Sequence, residues 1–451
     1  MTFLSANHPV GPGSGSDGLF KRFTPGFLWG VATSSYQIEG AAHEDGRADS
    51  IWDEFCRRPG AIRDGSNGDV GCDHYHHLEA DLDLIASLGI GSYRFSIAWP
   101  RVQPLGAGAW NERGFAFYER LVEELRARGI AAHITLYHWD LPLALQAQGG
   151  WHNRATVLAF VNYAVEVARR FGARAASIST HNEPWVTAML GHEYGVHAPG
   201  IRNRGIAIQV AHHLLLSHGL AVQAMRAARC RAPLGIVLNM SPIHAVSDSA
   251  EDQSRARIED GMIVRWYMDP LLRGGYPTDV LAHLGADAPA IADGDLEMIR
   301  QPLDFLGVNY YTRAIAQEGE RRPEPGRPVT DMGWEVYPRG LTELLVRLHT
   351  DYALPPVYIT ENGAAYPDRV TDGRIVDTQR IDFLRAHIAA LADAIEAGVR
   401  VDGYFVWSLL DNFEWAEGYA KRFGIVRVDY DTRRRTPKDS ALWYRDFLQG
   451  R

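Results

Sequence analysis

The chain has 451 residues, of which 46% are hydrophobic and 22% charged, a composition typical of a globular protein with a sizeable core. Its net charge of −9 and its lack of a basic stripe argue against nucleic acid or an anionic membrane as a partner. Three scattered cysteines, Cys56, Cys72 and Cys230, are too few for a disulfide framework, so we expect a reducing, cytoplasmic location.

The first 18 residues are rich in glycine, serine and proline and predict a flexible N-terminal tail. They lack the charged segment followed by an apolar segment that marks a secretory signal. We find no apolar run near the ~18 residues of a membrane span. No linker interrupts residues 19–451, which predicts a single catalytic domain.

Amphipathic helices, glycines and β-rich runs alternate along this domain. Glycine follows the last turn of several predicted helices, as at Gly89, Gly129 and Gly398. Most β-rich runs are continuously apolar, which is typical of parallel strands covered on both faces. The pattern predicts an α/β fold, a (β/α)8 TIM barrel with elaborated βα loops. The eight strands are expected to end near Thr33, Ser96, Tyr137, Thr180, Asn239, Val308, Thr360 and Ser408.

The residues at these strand ends are mainly amides, carboxylates and indoles, and in such barrels the chemistry lies there. This set suits a polyhydroxylated, uncharged ligand, because sugars offer hydroxyls to amides and carboxylates and an apolar face to aromatic rings. The set comprises Gln37, Glu39, Arg94, His138, Trp139, Asp140, Asn182, Glu183, Asn239, Asn309, Tyr311, Glu361, Trp407, Glu414 and Trp415.

Two glutamates form the central pair: Glu361 ends "VYITE" and Glu183 follows "SISTHN". Cleavage of a glycosidic bond needs one protonated and one ionised carboxyl group. Alternatively, one or both could be rim carboxylates held in ion pairs. The sequence does not give their separation, so retaining and inverting outcomes are both open from the residues alone.

The residues leave two other functions to consider. A metal-dependent hydrolase could use His74, His76 and His77, but neighbouring histidines at a helix start point to different faces. We therefore expect no metal and no cofactor. A sugar-binding barrel without catalysis would require a damaged carboxylate pair, and both glutamates are present.

Seven motifs in order resemble glycoside hydrolase family 1, the retaining β-glucosidases, from about Phe23 to Phe447. They are "FLWGVATSSYQIEGA", "YRFSIAWPR", "YHWDLP", "NEPW", "GVNYYT", "YITENG" and "WSLLDNFEWAEGY". The resemblance implies hydrolysis of terminal β-D-glucosyl residues of cello-oligosaccharides and aryl or alkyl glucosides, and a part in cellulose degradation. It implies double displacement through a covalent glycosyl-enzyme. A broad β-galactosidase or β-fucosidase is the alternative. The oligomeric state is open.

The resemblance also implies a role for each matching position. Glu361 would be the nucleophile and Glu183 the acid/base, while Arg94, Tyr311 and Asn309 hold the nucleophile side. The sugar hydroxyls and ring would be bound by Gln37, His138, Trp139, Asn182, Trp407, Glu414 and Trp415. Trp185, His197, Asn239 and Trp334 would line the aglycone side.

Two positions refine this expectation. The charge of Glu414 would repel a phosphate, which favours unphosphorylated glucosides over 6-phospho-sugars. His181 stands where the family usually has an apolar residue before the Asn-Glu-Pro motif. Strand alternation predicts that His181 points away from Asn182 and packs between barrel and helices.

Overall fold

The computed structural model describes residues 17–317 and 323–450. The predicted tail lies outside the described residues up to residue 16 and stays a prediction. A short helix, Asp17–Phe20, begins the described chain. The Phe20 ring lies 5.5 Å from that of Phe447, so the chain is anchored to its C-terminal helix from this point.

Eight parallel strands close into a barrel, which confirms the predicted (β/α)8 fold. Each strand pairs with its neighbours in chain order, and β1 pairs with β8 to close the ring. The strands are β1 (Leu28–Ala32), β2 (Ser92–Ser96), β3 (Ala131–Tyr137), β4 (Ser177–Asn182), β5 (Leu234–Asn239), β6 (Phe305–Asn309), β7 (Val357–Asn362) and β8 (Val401–Trp407). Every observed end lies within two residues of its prediction.

Helices surround the barrel, and short elements occupy the loops. The α-helices are Asp17–Phe20, Ser35–Ile38, Ile51–Cys56, His74–Ser87, Trp99–Val102, Glu112–Ala127, Leu143–Gln146, Arg154–Phe171, Arg204–Ala227, Ala250–Asp260, Trp266–Leu272, Thr278–Leu284, Asp295–Ile299, Arg339–Asp351, Thr378–Glu396 and Asp439–Leu448. Val186–Glu193 and Gly261–Arg265 are π-helical, and Gly150–His152, Gly285–Asp287 and Trp415–Glu417 are 3₁₀ turns. Short strands pair outside the barrel: Ile243–Ala245 with Ala314–Ala316, Arg369–Thr371 with Arg374–Val376, and Val426–Val428 with Arg435–Pro437.

The helix Arg204–Ala227 differs from the expectation that no segment could span a membrane. It is long and apolar enough to cross one, but 78% of its apolar window is buried inside the protein. It packs against Arg154–Phe171. Such burial on all sides is typical of a core helix, which needs no polar face.

β4 and β7 each carry a register irregularity close to their carboxyl ends. In β4 the irregularity lies between Ser179 and Asn182, and in β7 the pairing skips Thr360. Strict alternation would turn Glu361 away from the interior, because its neighbour Thr360 lines the barrel interior. The irregularity re-aims the side chain into the barrel mouth, a common use of bulges beside active sites.

Candidate active site

A cavity of about 410 Å³ opens at the carboxyl ends of the strands, within the size range of small-molecule sites. Thirteen of the sixteen predicted site residues line it: His138, Trp139, Glu183, Trp185, His197, Asn239, Asn309, Tyr311, Trp334, Glu361, Trp407, Glu414 and Trp415. Arg94 and Asn182 lie buried beneath its floor, hydrogen-bonded to lining residues. The four residues assigned to the aglycone side all line the cavity.

Glu361 is held from two sides by strong donors. Arg94 Nη1 donates to Oε1 at 2.6 Å, and the Tyr311 hydroxyl donates to Oε2 at 2.6 Å. Burial, followed by the nearby charges of Glu361 and Glu183, raises the pKa of Tyr311 well above its usual value. The phenol therefore keeps its proton and remains a donor. A guanidinium and a phenol at this range are the surroundings of a carboxylate anion.

Glu183 has the opposite surroundings. It is 6% exposed, and it accepts a hydrogen bond from the neutral amide of Asn309, whose Nδ2 donates to Oε1 at 2.6 Å. Burial, followed by the negative charge of Glu361, raises the pKa of Glu183 to about 8. Asn309 and Arg94 oppose this shift but do not cancel it. The two carboxyls of one cavity are thus differentiated by their partners.

A chain of hydrogen bonds runs from Arg94 to the cavity wall. Arg94 Nη2 can only donate, so the atom of Asn182 that it meets at 2.6 Å is the oxygen Oδ1. The amide nitrogen of Asn182 then donates to His138 Nε2 at 3.2 Å. Burial lowers the pKa of His138 well below its usual value, so the ring is neutral and carries its proton on Nδ1.

Several buried polar atoms at the cavity have no hydrogen-bond partner within the described part of the chain. They are His138 Nδ1, His197 Nδ1, Asn239 Oδ1 and Glu414 Oε2. Buried polar groups are almost always hydrogen-bonded in folded proteins. These donors and acceptors around one cavity are available to a polar ligand with several hydroxyl groups.

Aromatic rings enclose the inner end of the cavity. His138 stacks between Trp407 and Trp415, each centroid 5.9 Å away. Trp139, Glu183 and Trp415 adopt positive φ values of 80°, 50° and 50°. Such values are strained for these residue types and concentrate at functional sites. The surrounding packing holds the backbone at the three positions that bring an acid and two indoles to the cavity.

Gln37 is the sixteenth predicted residue, and it does not line the cavity. Its Nε2 donates to Asn412 Oδ1 at 3.0 Å and to Phe413 O at 2.8 Å, while its Oε1 accepts from Ser34 at 2.6 Å. These bonds fix the loop after β1 to the loop after β8. Its predicted sugar contact stays a prediction.

Sequence reasoning missed an apolar part of the wall. Val186, Leu190, Val196, Met240, Met332 and Phe423 all line the cavity. Met240 directly follows the end of β5 and the other five lie in βα loops, but an apolar residue carries no chemical signal in either place. The acid Glu417 was also missed, although it stands three residues after Glu414 within a quoted motif.

The three histidines considered as metal ligands, and His181, are hydrogen-bonded to the protein. His74 pairs with Asp81 at 2.8 Å, while Nδ1 of His76 and His77 contacts Asp73. His181 pairs with Ser217 of the helix Arg204–Ala227 at 2.8 Å and stacks on Phe160, and this places it between barrel and helices as predicted.

Glu414 does not carry the negative charge that the sequence predicts for it. Burial, followed by the charges of Glu361 and Glu183, raises the pKa of Glu414 to about 8, so this group is largely neutral at pH 7 and repels little. Lys421, seven residues after Glu414 in the sequence, donates to the backbone oxygen of Asp331 at 2.5 Å. It does not line the cavity. The site is thus poor in the positive charge that a phosphate requires.

A model of glycosyl hydrolase family 1 matches residues 19–451. The chain belongs to glycosyl hydrolase family 1. Its membership confirms the resemblance and establishes the chain as a glycoside hydrolase. The family assignment and the cavity geometry agree, because the residues that carry the motifs are those that converge at the barrel mouth.

The chain is similar to β-glucosidase A of Acetivibrio thermocellus, at 45% identity over 95% of this chain and 98% of the relative. It is 43% identical to a bifunctional β-D-glucosidase/β-D-fucosidase of Bifidobacterium breve, over 94% of this chain and 98% of the relative. Among solved structures it resembles the virulence factor SghA of Agrobacterium tumefaciens. For the SghA complex with its substrate analog salicin, the TM-score is 0.94 and the identity 45%, over 98% and 99% of the chains.

Proposed function

We propose that the chain is a retaining β-glucosidase that removes terminal, non-reducing β-D-glucosyl residues through a covalent glycosyl-enzyme. One observation carries the proposal: two buried carboxyls face one cavity in opposite surroundings. Glu361 accepts from a guanidinium and a phenol, whereas Glu183 accepts from a neutral amide and has its pKa raised to about 8. A retaining mechanism is general in this family.

In the first step, the carboxylate of Glu361 attacks the anomeric carbon and forms an ester with it. The bond from that carbon to the leaving oxygen breaks, and the oxygen takes the proton of Glu183. Glu183 is protonated at pH 7 because its pKa is about 8. Arg94 and Tyr311 hold the attacking carboxylate in place through bonds of 2.6 Å.

In the second step, Glu183 becomes the base. Esterification removes the negative charge of Glu361, which is one of the causes that raise the pKa of Glu183. That pKa falls, so the carboxylate can take a proton from water. The resulting oxygen attacks the anomeric carbon, the ester bond breaks, and Glu361 regains its charge. Both groups then return to their starting protonation states.

The sugar is bound by the polar atoms at the inner end that have no partner within the part of the protein that the structure describes. His138 offers Nδ1–H, and Glu414 offers Oε2, each buried without a protein partner among the described residues. Asn182 has one N–H left for the 2-hydroxyl, since the other bonds His138. Trp407, 3% exposed, forms the floor.

The specificity for glucose over galactose or fucose depends on Glu414. A carboxyl group can meet an equatorial or an axial 4-hydroxyl with little change of angle, and a D-fucoside is a galactoside that lacks the 6-hydroxyl. We therefore expect glucosides to be preferred, with side activity on fucosides and galactosides. The name of the Bifidobacterium breve relative supports this breadth.

A kinetic panel of aryl β-glucoside, β-galactoside, β-fucoside, 6-phospho-β-glucoside and cellobiose tests the proposal. We expect the highest kcat/KM on the β-glucoside and none measurable on the phosphorylated sugar. A Glu361→Gly variant purified in parallel controls for contaminating glycosidases. A phosphorylated substrate hydrolysed faster than the free glucoside would contradict the assignment.

A cytoplasmic location and a part in degrading cellulose-derived oligosaccharides belong to the same proposal. Cys56, Cys72 and Cys230 are free thiols, which supports a reducing compartment. Cell fractionation tests the location. Growth on cellobiose of a strain lacking the chain tests the physiological role, which would be contradicted by unchanged growth and unchanged cellobiase activity.

A further inference from the structure

Beneath the floor of the active site, two side chains that each carry an unpartnered buried nitrogen line one small cavity. Arg94 Nε and His133 Nε2 have no hydrogen-bond partner among the described residues, and each is shielded from solvent. Both side chains line an internal cavity of about 10 Å³ in the barrel interior. Arg94 on β2 is the register partner of His133 on β3, so both enter the barrel at one level.

We propose that this cavity binds one water molecule, and that His133 acts through it as a positioning residue for Arg94. The role of His133 rests on the proposed function, because Arg94 matters to catalysis only as the residue that holds Glu361. The water site itself does not depend on that function.

The chemistry of the two nitrogens suits water. Arg94 Nε can only donate. Burial, followed by the charge of Arg94, lowers the pKa of His133 to about 3, so the ring is neutral and Nε2 can accept a hydrogen bond. A bridging molecule must therefore accept from the arginine and donate to the histidine. Water does both.

The size and lining of the cavity also suit one water molecule. A volume of about 10 Å³ is near the minimum that holds one water, which needs two to four polar partners. Ser177 and Ser179 also line the cavity and provide hydroxyls. Phe305, Tyr358 and Phe405 complete the wall with aromatic rings. Ser177 Oγ bonds His133 Nδ1 at 2.8 Å and fixes the ring.

The bridge would complete the support of the guanidinium. Arg94 Nη1 is used on Glu361 and Nη2 on Asn182, both at 2.6 Å. A third bond on Nε fixes the rotation of the planar group about its side-chain axis. The atoms that face Glu361 and Asn182 are then held from behind, which keeps the attacking oxygen in line with the anomeric carbon.

The direct test is a high-resolution crystal structure of the unmodified protein. We expect one ordered solvent peak within hydrogen-bonding distance of both Arg94 Nε and His133 Nε2. A direct bond between these two atoms, or no solvent density in a well-ordered cavity, overturns the water site whatever the enzyme hydrolyses. This measurement needs no variant, so it decides whether the water is present even if a substitution at His133 prevents folding.

The positioning role is tested by His133→Leu, which removes the acceptor, and by His133→Gln, which restores a polar group. We expect His133→Leu to lower kcat about tenfold with KM within about twofold, because misaligning the nucleophile affects the transition state more than binding. We expect His133→Gln to recover most of the loss. An unchanged kcat in His133→Leu overturns the positioning role.

His387→Leu is the matched control. His387 is also a fully buried histidine with an unpartnered Nε2 among the described residues, but it lies on the helix Thr378–Glu396 outside the cavity lining. We expect it to lower Tm without lowering kcat. If His133→Leu and His387→Leu each lose kcat in proportion to their decrease in Tm, the role of His133 is only structural. A separate result bears on the proposed function: if Glu361→Gly retains normal turnover, Glu361 is not the nucleophile. In that case a loss of activity in His133→Leu says nothing about positioning, and the proposed function fails.

Discussion

The two ends of the cavity are lined by different types of residue. At the inner end Glu361 is 3% exposed, His138 1% and Trp407 3%, and the polar atoms there are tied to each other through Arg94, Asn182 and Asn309. At the outer end Val196 is 45% exposed, and Leu190 and Met332 offer no hydrogen bond. A ligand thus meets fixed polar geometry inside and an apolar wall outside.

This difference predicts unequal selectivity along the cavity. A site built to hydrogen-bond hydroxyls discriminates strongly, since a missing hydroxyl leaves buried groups unpaired. An apolar wall discriminates weakly, because one methylene changes the free energy of binding by only about 1–3 kcal/mol. We expect changes in the sugar hydroxyls to lower kcat/KM more than changes in the aglycone do, with side activity on fucosides and galactosides and tolerance of many aglycones.

The largest effect is expected from Glu361→Gly at the inner end. The substitution removes the nucleophile, so turnover of an aryl β-glucoside should fall by roughly 10⁵-fold or more. A small anion such as azide or formate should fill the gap and restore part of the activity. The same anion given to the unmodified enzyme is the control. Normal turnover without the anion would exclude Glu361 as nucleophile.

Glu183→Ala should produce a smaller loss that depends on the leaving group. Without a proton donor, we expect substrates with poor leaving groups to lose about 10²- to 10⁴-fold in kcat/KM, while activated aryl glucosides lose much less. The measurement is kcat/KM over a series of aryl glucosides of differing phenol acidity. Equal losses along the series would rule out Glu183 as the general acid.

The pH profile separates two buried acids that share a raised pKa. Glu183 must be protonated to act, and its pKa is about 8, so kcat/KM should fall as pH rises through about 8. The pKa of Glu414 is also raised to about 8. We expect Glu414→Gln to keep the alkaline decline and Glu183→Ala to lose it. A decline that disappears in Glu414→Gln instead would assign it to the sugar-binding acid.

The smallest effect is expected at the outer end. Trp185→Ala should raise KM for aryl glucosides about 2- to 10-fold with little change in kcat, the size of one aromatic contact. Trp443→Ala removes a tryptophan from the C-terminal helix Asp439–Leu448 and controls for general destabilisation. A drop in kcat comparable to that of the inner variants would remove the distinction between the two ends.

The inner end could be predicted from sequence because its residues follow strands. Strand ends were placed within two residues, and a parallel barrel gathers its strand ends at one mouth. The direction in which each side chain points was harder to predict than the position of the strand end. Alternation from Ser179 would bring His181 to the interior, yet His181 bonds a helix and Asn182 bonds Arg94. The register irregularities that cause this depend on pairing with distant strands, which a single sequence does not display.

The rest of the site depends on tertiary contacts. Val196 and Met332 reach the cavity from loops, and apolar loop residues carry no periodic signal. The bonds of Gln37 join segments 375 residues apart. The raised pKa of Glu414 follows from burial beside two other acids, so a charge inferred from sequence alone was too large. Closure of the barrel creates all three features.

Covalent trapping tests the central claim most directly. An activated 2-deoxy-2-fluoro β-glucoside forms the glycosyl-enzyme but slows its hydrolysis, because the electronegative fluorine destabilises the oxocarbenium-like transition state. We predict a mass increase of one fluoroglucosyl unit, located on the peptide that carries Glu361 and absent in Glu361→Gly. A label on another residue, or rapid turnover with inversion at the anomeric carbon and no label, would contradict the mechanism.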